Sequence, residues 1–165
     1  MDTIDIVIDE ILKFSTTVLT VIDGVAGNKI GAFQEKYVLN LPNDYKTFLR
    51  RTNGLDLMGT AVYGIHDETA YMSLGRAFNV EHYEVANEMP IHLIPFSPDG
   101  GGNHYCFDSG RCNTESCKIV FWQHDLSYTE EKPPETVNNS FAEWARQVLV
   151  DWTLEDYDYN GNEVV

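Results

Sequence analysis

Ile94-Pro95-Phe96-Ser97-Pro98-Asp99-Gly100-Gly101-Gly102-Asn103-His104-Tyr105-Cys106-Phe107-Asp108 is the stretch that decides the fold. An apolar run, a turn dense in proline, aspartate and glycine, and a second run of period two together read as a β-hairpin. In the return strand Tyr105 and Phe107 lie on one face, His104 and Cys106 on the other. Pro95 has no N–H to give a ladder, which puts the first strand, Ile91 to Phe96, at an edge or end. The three glycines suit a tight turn with positive φ. They do not suit a phosphate loop, which needs Lys-Ser/Thr behind its last glycine where Asn103-His104 follows. Nor do they open a helix, as a dinucleotide fingerprint would.

Downstream, a loop through Gly110, Asn113 and Ser116 leads to Lys118-Ile119-Val120-Phe121-Trp122, a β-branched and aromatic strand. Ser140-Phe141-Ala142-Glu143 is a capping box. It opens a helix with Phe141, Trp144, Ala145, Val148 and Leu149 on one stripe. Upstream, Leu41 to Gly54 is a punctuated helix: Pro42 near the first position, Asp44 in the first turn, and a Tyr45, Phe48, Leu49 stripe. Arg50 and Arg51 suit its last turn and Gly54 a left-handed cap. Ala61 to Ile65 and Tyr71 to Leu74 read as strands, and Asn79 to Met89 as a helix. At the N-terminus Ile4, Ile8, Ile11 and Leu12, followed by the apolar Phe14 to Ile22, predict one helix, with turn residues at Asp23-Gly24 and Gly27-Asn28. The element pattern is α+β, with a mostly antiparallel sheet flanked by N-terminal and C-terminal helices.

The 165 residues hold 11 Lys and Arg against 26 Asp and Glu, a formal net charge of −15. Such a chain repels phosphate backbones and anionic lipid, so nucleic acid and membrane are excluded as partners. It attracts basic proteins instead. The start, Met1 to Glu10, carries acids where a secretory signal needs bases. No apolar run approaches the ~20 residues of a membrane span. Cys106, Cys112 and Cys117, an odd number, suit reduced thiols. A cytoplasmic protein is expected.

Candidate chemistry is thin. His104, Cys106, Cys112, Cys117 and His124 lack the C-x2-C spacing of common structural zinc sites, so no metal is assigned. His124-Asp125 resembles an acid–base pair, but the sequence names no third group to position it. No nucleophile-elbow or zincin motif is present. No catalytic residue and no cofactor are assigned.

The ordered set of signals is more specific than any one of them. Leu41, Pro42, Tyr45, Phe48, Leu49, Asn53 and Gly54 come first, then Tyr63 and Gly64. Ile94, Pro95, Phe96, Asp99, Gly100 to Asn103, Cys106, Phe107 and Asp108 follow, then Val120, Phe121, Trp122, His124 and Asp125, and last Ser140, Phe141 and Trp144. In this order they resemble the SUKH superfamily, the Smi/Knr-like proteins. The length and the absence of a dividing linker predict one domain over residues 1–165; the resemblance covers its core at 38–150, ahead of an acidic tail at 151–165. For bacterial members it implies an immunity protein that neutralises a polymorphic toxin, often a nuclease, as a monomer or weak homodimer. For fungal relatives it implies a regulatory or scaffold module. The motifs do not locate the partner surface. The acidic clusters do better, and Asp67, Glu68, Asp125, Glu130, Glu131, Asp156, Tyr157 and Asp158 are the candidate contacts for a basic toxin. Trp152, Tyr157 and Tyr159, set among acids, either dock on the domain or serve as binding anchors.

Overall fold

A computed structural model of the chain describes residues 3–165. The order is α1 (Ile4–Ile11), β1 (Leu19–Asp23), α2 (Gly27–Tyr37), α3 (Asn43–Arg51), β2 (Thr52–Leu57), β3 (Thr60–Val62) and α4 (Leu74–Asn79), which runs into a π-helical turn at Val80–Glu84. Then come β4 (Leu93–Pro98), β5 (His104–Cys112), β6 (Cys117–Trp122), β7 (Glu135–Asn138) and α5 (Phe141–Trp144). α5 continues through a π-helical segment, Ala145–Asp151, into α6 (Trp152–Asp156). The strands form two antiparallel sheets, β1-β2-β3 and β4-β5-β6-β7. The α+β expectation holds, and Pro95 sits in an end strand.

Aromatic side chains build the core. Tyr45 and Phe48 on α3, Phe96 on β4, Phe107 on β5, and Phe141 and Trp144 on α5 are all at most 1% exposed. Their rings touch in a continuous set: Tyr45–Phe107 at 5.0 Å, Phe96–Phe107 at 4.3 Å, Phe96–Trp144 at 4.8 Å and Phe48–Phe141 at 5.3 Å. The period-two reading of β5 is borne out, since Phe107 and Tyr105 face this core. Cys106 faces a smaller cluster with Met89, Leu93, Val120 and Trp122. The capping box is also real. Ser140 Oγ accepts from Glu143 N at 3.0 Å, while the Glu143 carboxylate accepts from Asn139 N, one residue before the cap.

The structure differs from these expectations in five places. The N-terminal helix ends at Ile11, and Leu19–Asp23 pairs with β2. The β-branched run Thr16-Thr17-Val18 and Thr20-Val21-Ile22 favours a strand once a partner edge is offered. α2 was marked only by its turn residues; it buries Ile30 and Phe33 on a short apolar stripe. Tyr71–Leu74 is no strand: Ser73 forms one isolated bridge with Gly64 and caps α4 by accepting from Arg76 N at 3.1 Å. The helix expected from Asn79 therefore starts at Leu74 and is over by Val85, whose backbone is extended. Gly54 is not a helix cap, because α3 passes straight into β2. Its φ of +92° is needed where a Cβ would come 2.9 Å from Val62 O.

Replacing Trp144 with alanine removes the ring between Phe96 and Tyr105. It should destabilise the fold by roughly 3–5 kcal/mol in denaturant unfolding. A loss below about 1 kcal/mol would show that the ring is not core.

Candidate functional site

The recognisable motif residues turn out to hold backbone. The Asn53 amide brackets Ile65, accepting from its N–H at 2.7 Å and donating to its carbonyl at 2.8 Å. Gly64 passes so close that a Cβ there would lie 2.2 Å from Asn53 O. The glycine-rich turn is held by Asp99, whose Oδ1 accepts from Gly101 N at 2.7 Å and Asn103 N at 3.0 Å. Asn103 Oδ1 in turn accepts from His124 N at 3.1 Å and pairs with His124 Nδ1 at 2.9 Å. The His124 ring lies against Gly102, whose φ is +93°. His124 is thus a clamp on the turn, and no third group joins it to Asp125 as an acid–base unit among the described residues.

The cysteines and histidines considered for zinc lie apart. Cys112 and Cys117 face each other in register across the β5–β6 hairpin, Cα atoms 3.9 Å apart, and are joined as a disulfide. This corrects the reading of three reduced thiols, which counted cysteines without the register that pairs two of them. Cys106 is free and fully buried beside Met89, and burial pushes its thiol up. His104 is buried with Nδ1 unpartnered and Nε2 3.4 Å from the Tyr63 hydroxyl. Burial drives its imidazole down to about 4, against the pull of Asp99. Among the described residues no group of three or more His, Cys, Asp or Glu could hold a metal.

The candidate acidic residues fall in three places. Asp67 and Glu68 follow β3. Asp67 accepts from the Thr69 N–H and hydroxyl, which lower its carboxyl. Glu68 accepts from the Tyr37 hydroxyl and pairs with Lys36 at 3.0 Å, and both lower it. Asp125, Glu130 and Glu131 lie on the β6–β7 connection. Asn87 pins the first part by donating to the carbonyls of His124 and Leu126, and Glu130 and Glu131 top a turn closed between Thr129 and Lys132. Asp156, Tyr157 and Asp158 end α6. Asp158 accepts from Asn160 and Asn162 N–H groups, which hold its carboxyl low. No hydrogen bond or ion pair among the described residues joins the three groups.

The tail aromatics divide. Tyr159 docks, its ring 4.9 Å from Phe14 and its hydroxyl donating to Glu10 at 3.0 Å. Trp152 is 45% exposed. With Tyr157 it lines a groove of about 390 Å³ whose other walls are Leu57 to Thr60, Pro98, Asp99, Tyr105, Val148 and Thr153. No Lys or Arg lines it. A second concavity, of about 840 Å³, opens beside the disulfide, where the first turns of α1, α3 and α5 meet Arg111 and Lys118. Both cations there are already held, Arg111 by Asp108 at 2.7 Å and Lys118 by Asn139 at 2.7 Å.

The SMI1-KNR4 cell-wall family model (SUKH_5) matches residues 4–150, and the chain belongs to that family. Membership makes it an immunity-like or SMI1-KNR4-type protein-binding module. It is 29% identical over 140 residues to the SPbeta prophage-derived uncharacterized protein YokK of Bacillus subtilis (strain 168), covering 70% of this chain and 69% of that protein. A crystal structure of a protein from Pseudomonas syringae pv. tomato superposes with a TM-score of 0.64 at 20% identity, over 87% of this chain and 96% of that one, so the fold is shared. No helix among the described residues is long and apolar enough to cross a membrane.

Two measurements check the buried groups. In denaturant without reductant one thiol should titrate, and three after reduction. Three thiols before reduction would refute the Cys112–Cys117 bond. For His104 the folded value lies below the 6.5 of an unfolded chain. Its neutral form costs the fold nothing above pH 6.5. As the pH falls towards 4 the unfolded chain takes up a proton that the folded one refuses. Wild type should therefore lose roughly 2–3 kcal/mol more than His104→Gln between pH 7 and pH 4.5, read by urea unfolding. Equal losses would place the His104 ring in water.

Proposed function

We propose that this chain is an immunity protein that binds and neutralises a basic toxin domain, of the nuclease class, through its acidic surface. The observation that carries this is the disposition of charge. The chain has a net charge of −15. Its Lys13, Lys36, Arg51, Arg111 and Arg146 are each already paired with carboxylates of the same chain. Asp125, Glu130, Glu131 and Asp156 form no ion pair among the described residues, so they are left to face a partner. Carboxylates of this kind can occupy the Lys and Arg residues that a nuclease uses for phosphates, and close pairs can each couple by about 1.5–7 kcal/mol. The prophage origin of the Bacillus subtilis relative suits a gene carried on a mobile element.

A second reading, a regulatory or scaffold module without a toxin partner, draws on the cell-wall description of the family. Co-expression with each toxin domain encoded beside the gene separates the two. Rescue of growth with a stoichiometric complex supports the immunity reading. If every such domain still kills and none binds, that reading is wrong, and pull-down of a signalling enzyme then supports the second. Reversing Glu130, Glu131 and Asp156 to lysine should weaken toxin binding by about tenfold or more at low salt, and less at high salt, with circular dichroism unchanged. Unchanged binding by a folded variant would move the contact elsewhere, to the Asp67 and Glu68 side first.

A further inference from the structure

We propose that the groove between the β2–β3 turn and α6 seats one Lys or Arg side chain of a basic partner protein, its aliphatic stem on Met58 and Tyr157 and its cation against the face of Trp152 and the carboxylates of Asp99 and Asp156. The proposal rests on the reading of the partner as basic, and it names where such a partner is anchored.

The first observation is Met58. Leu57 pairs with Thr60, so Met58-Gly59 is a two-residue hairpin turn. Both residues have positive φ, 49° and 92°. Such turns prefer Asn or Gly at both positions, because a long side chain on a left-handed backbone is strained. Met58 is 39% exposed and lines the groove. The second is Trp152. Trp122 and Trp144, the other two tryptophans, are 1% and 0% exposed, whereas Trp152 leaves 45% of its surface in water on a helix that buries no residue.

The third observation is charge. Asp99 lines the groove, and Asp156 lies one helical turn beyond Trp152 on the same face of α6. Asp56 anchors the turn by accepting from Gly59 N at 2.9 Å. With no lining cation, the groove combines apolar walls, an aromatic side chain and the negative charge of Asp99, whose oxygens also hold the glycine turn, with Asp156 just outside, which suits a long cationic side chain.

The test uses the full chain and a short peptide of alternating Arg and Gly, with a citrulline-for-arginine peptide as control. The Trp152 indole N–H, assigned by its loss in Trp152→Phe, should shift saturably in NMR spectra with the arginine peptide only. Trp152→Ala should weaken binding about tenfold. Met58→Asn should do the same while raising the melting temperature, because asparagine suits the turn. That opposed change separates a binding residue from a structural one. Glu130→Lys with Glu131→Lys should act only through the long-range field, by about twofold. The proposal is overturned if the citrulline peptide binds as well, if both groove variants bind like wild type, or if Met58→Asn leaves affinity intact. Its failure is distinct from that of the toxin reading. Groove variants that still neutralise a cognate toxin sink the groove alone, whereas a wild-type chain that neutralises none sinks the toxin reading.

Discussion

One side chain holds the two sheets and the helical layer in register. Tyr45 is fully buried at the centre of the aromatic set, and its hydroxyl donates to Tyr63 O at 2.5 Å. Its ring packs between β5 and α5, against Phe107 and Phe141, while its hydroxyl reaches the end of β3 in the other sheet. Burial raises that phenol far above its ordinary range, so it stays a neutral donor at any pH the fold survives. Around it the sheets touch through two more bonds, Tyr63 N to Phe96 O at 2.8 Å and Ser97 Oγ to Ala61 O at 2.6 Å. Next to it Asp44 ties α3 to α5, accepting from Ala142 N at 3.2 Å. A buried aromatic with one well-met polar group gives both packing area and a fixed orientation.

This centre explains why the family motifs read as scaffold. Asn53, Gly54 and Gly64 thread two strands past one another at distances no side chain would permit. Asp99, Asn103 and His124 lock the turn that aligns β4 with β5. Each holds backbone in place, and among the described residues none is part of a reactive arrangement. A histidine beside an aspartate is therefore weak grounds for catalysis until its other neighbours are known.

Legibility in the sequence followed locality. The β4–β5 hairpin and the capped α5 were readable because turn chemistry and periodicity lie within a few residues of the structure they specify. β1 is not legible locally because it depends on pairing with β2, 29 to 38 positions away, and propensity alone yields to such tertiary pairing. The Cys112–Cys117 bond depends on strand register, which a count of cysteines does not contain. The groove was hidden most thoroughly, since its walls come from residues 57–60, 98–105 and 148–157. Only its aromatics, Trp152 and Tyr157, left a mark, as apolar rings among acids.

Acidity and shape do different work on such a surface. In the proposed complex, diffuse carboxylates such as Glu130 and Glu131 draw a basic partner in from many directions and speed encounter, but salt screens them and they select weakly. Long residence needs apolar contact from which water is excluded, with charge at its edge. A chain with 26 acids against 11 bases supplies a negative field over much of its surface. It can supply the anchor only where apolar side chains are kept exposed against their ordinary tendency. On the proposal above, Met58 on its left-handed turn and Trp152 on α6 are that anchor because both line one groove, with acids at its edge rather than at its centre.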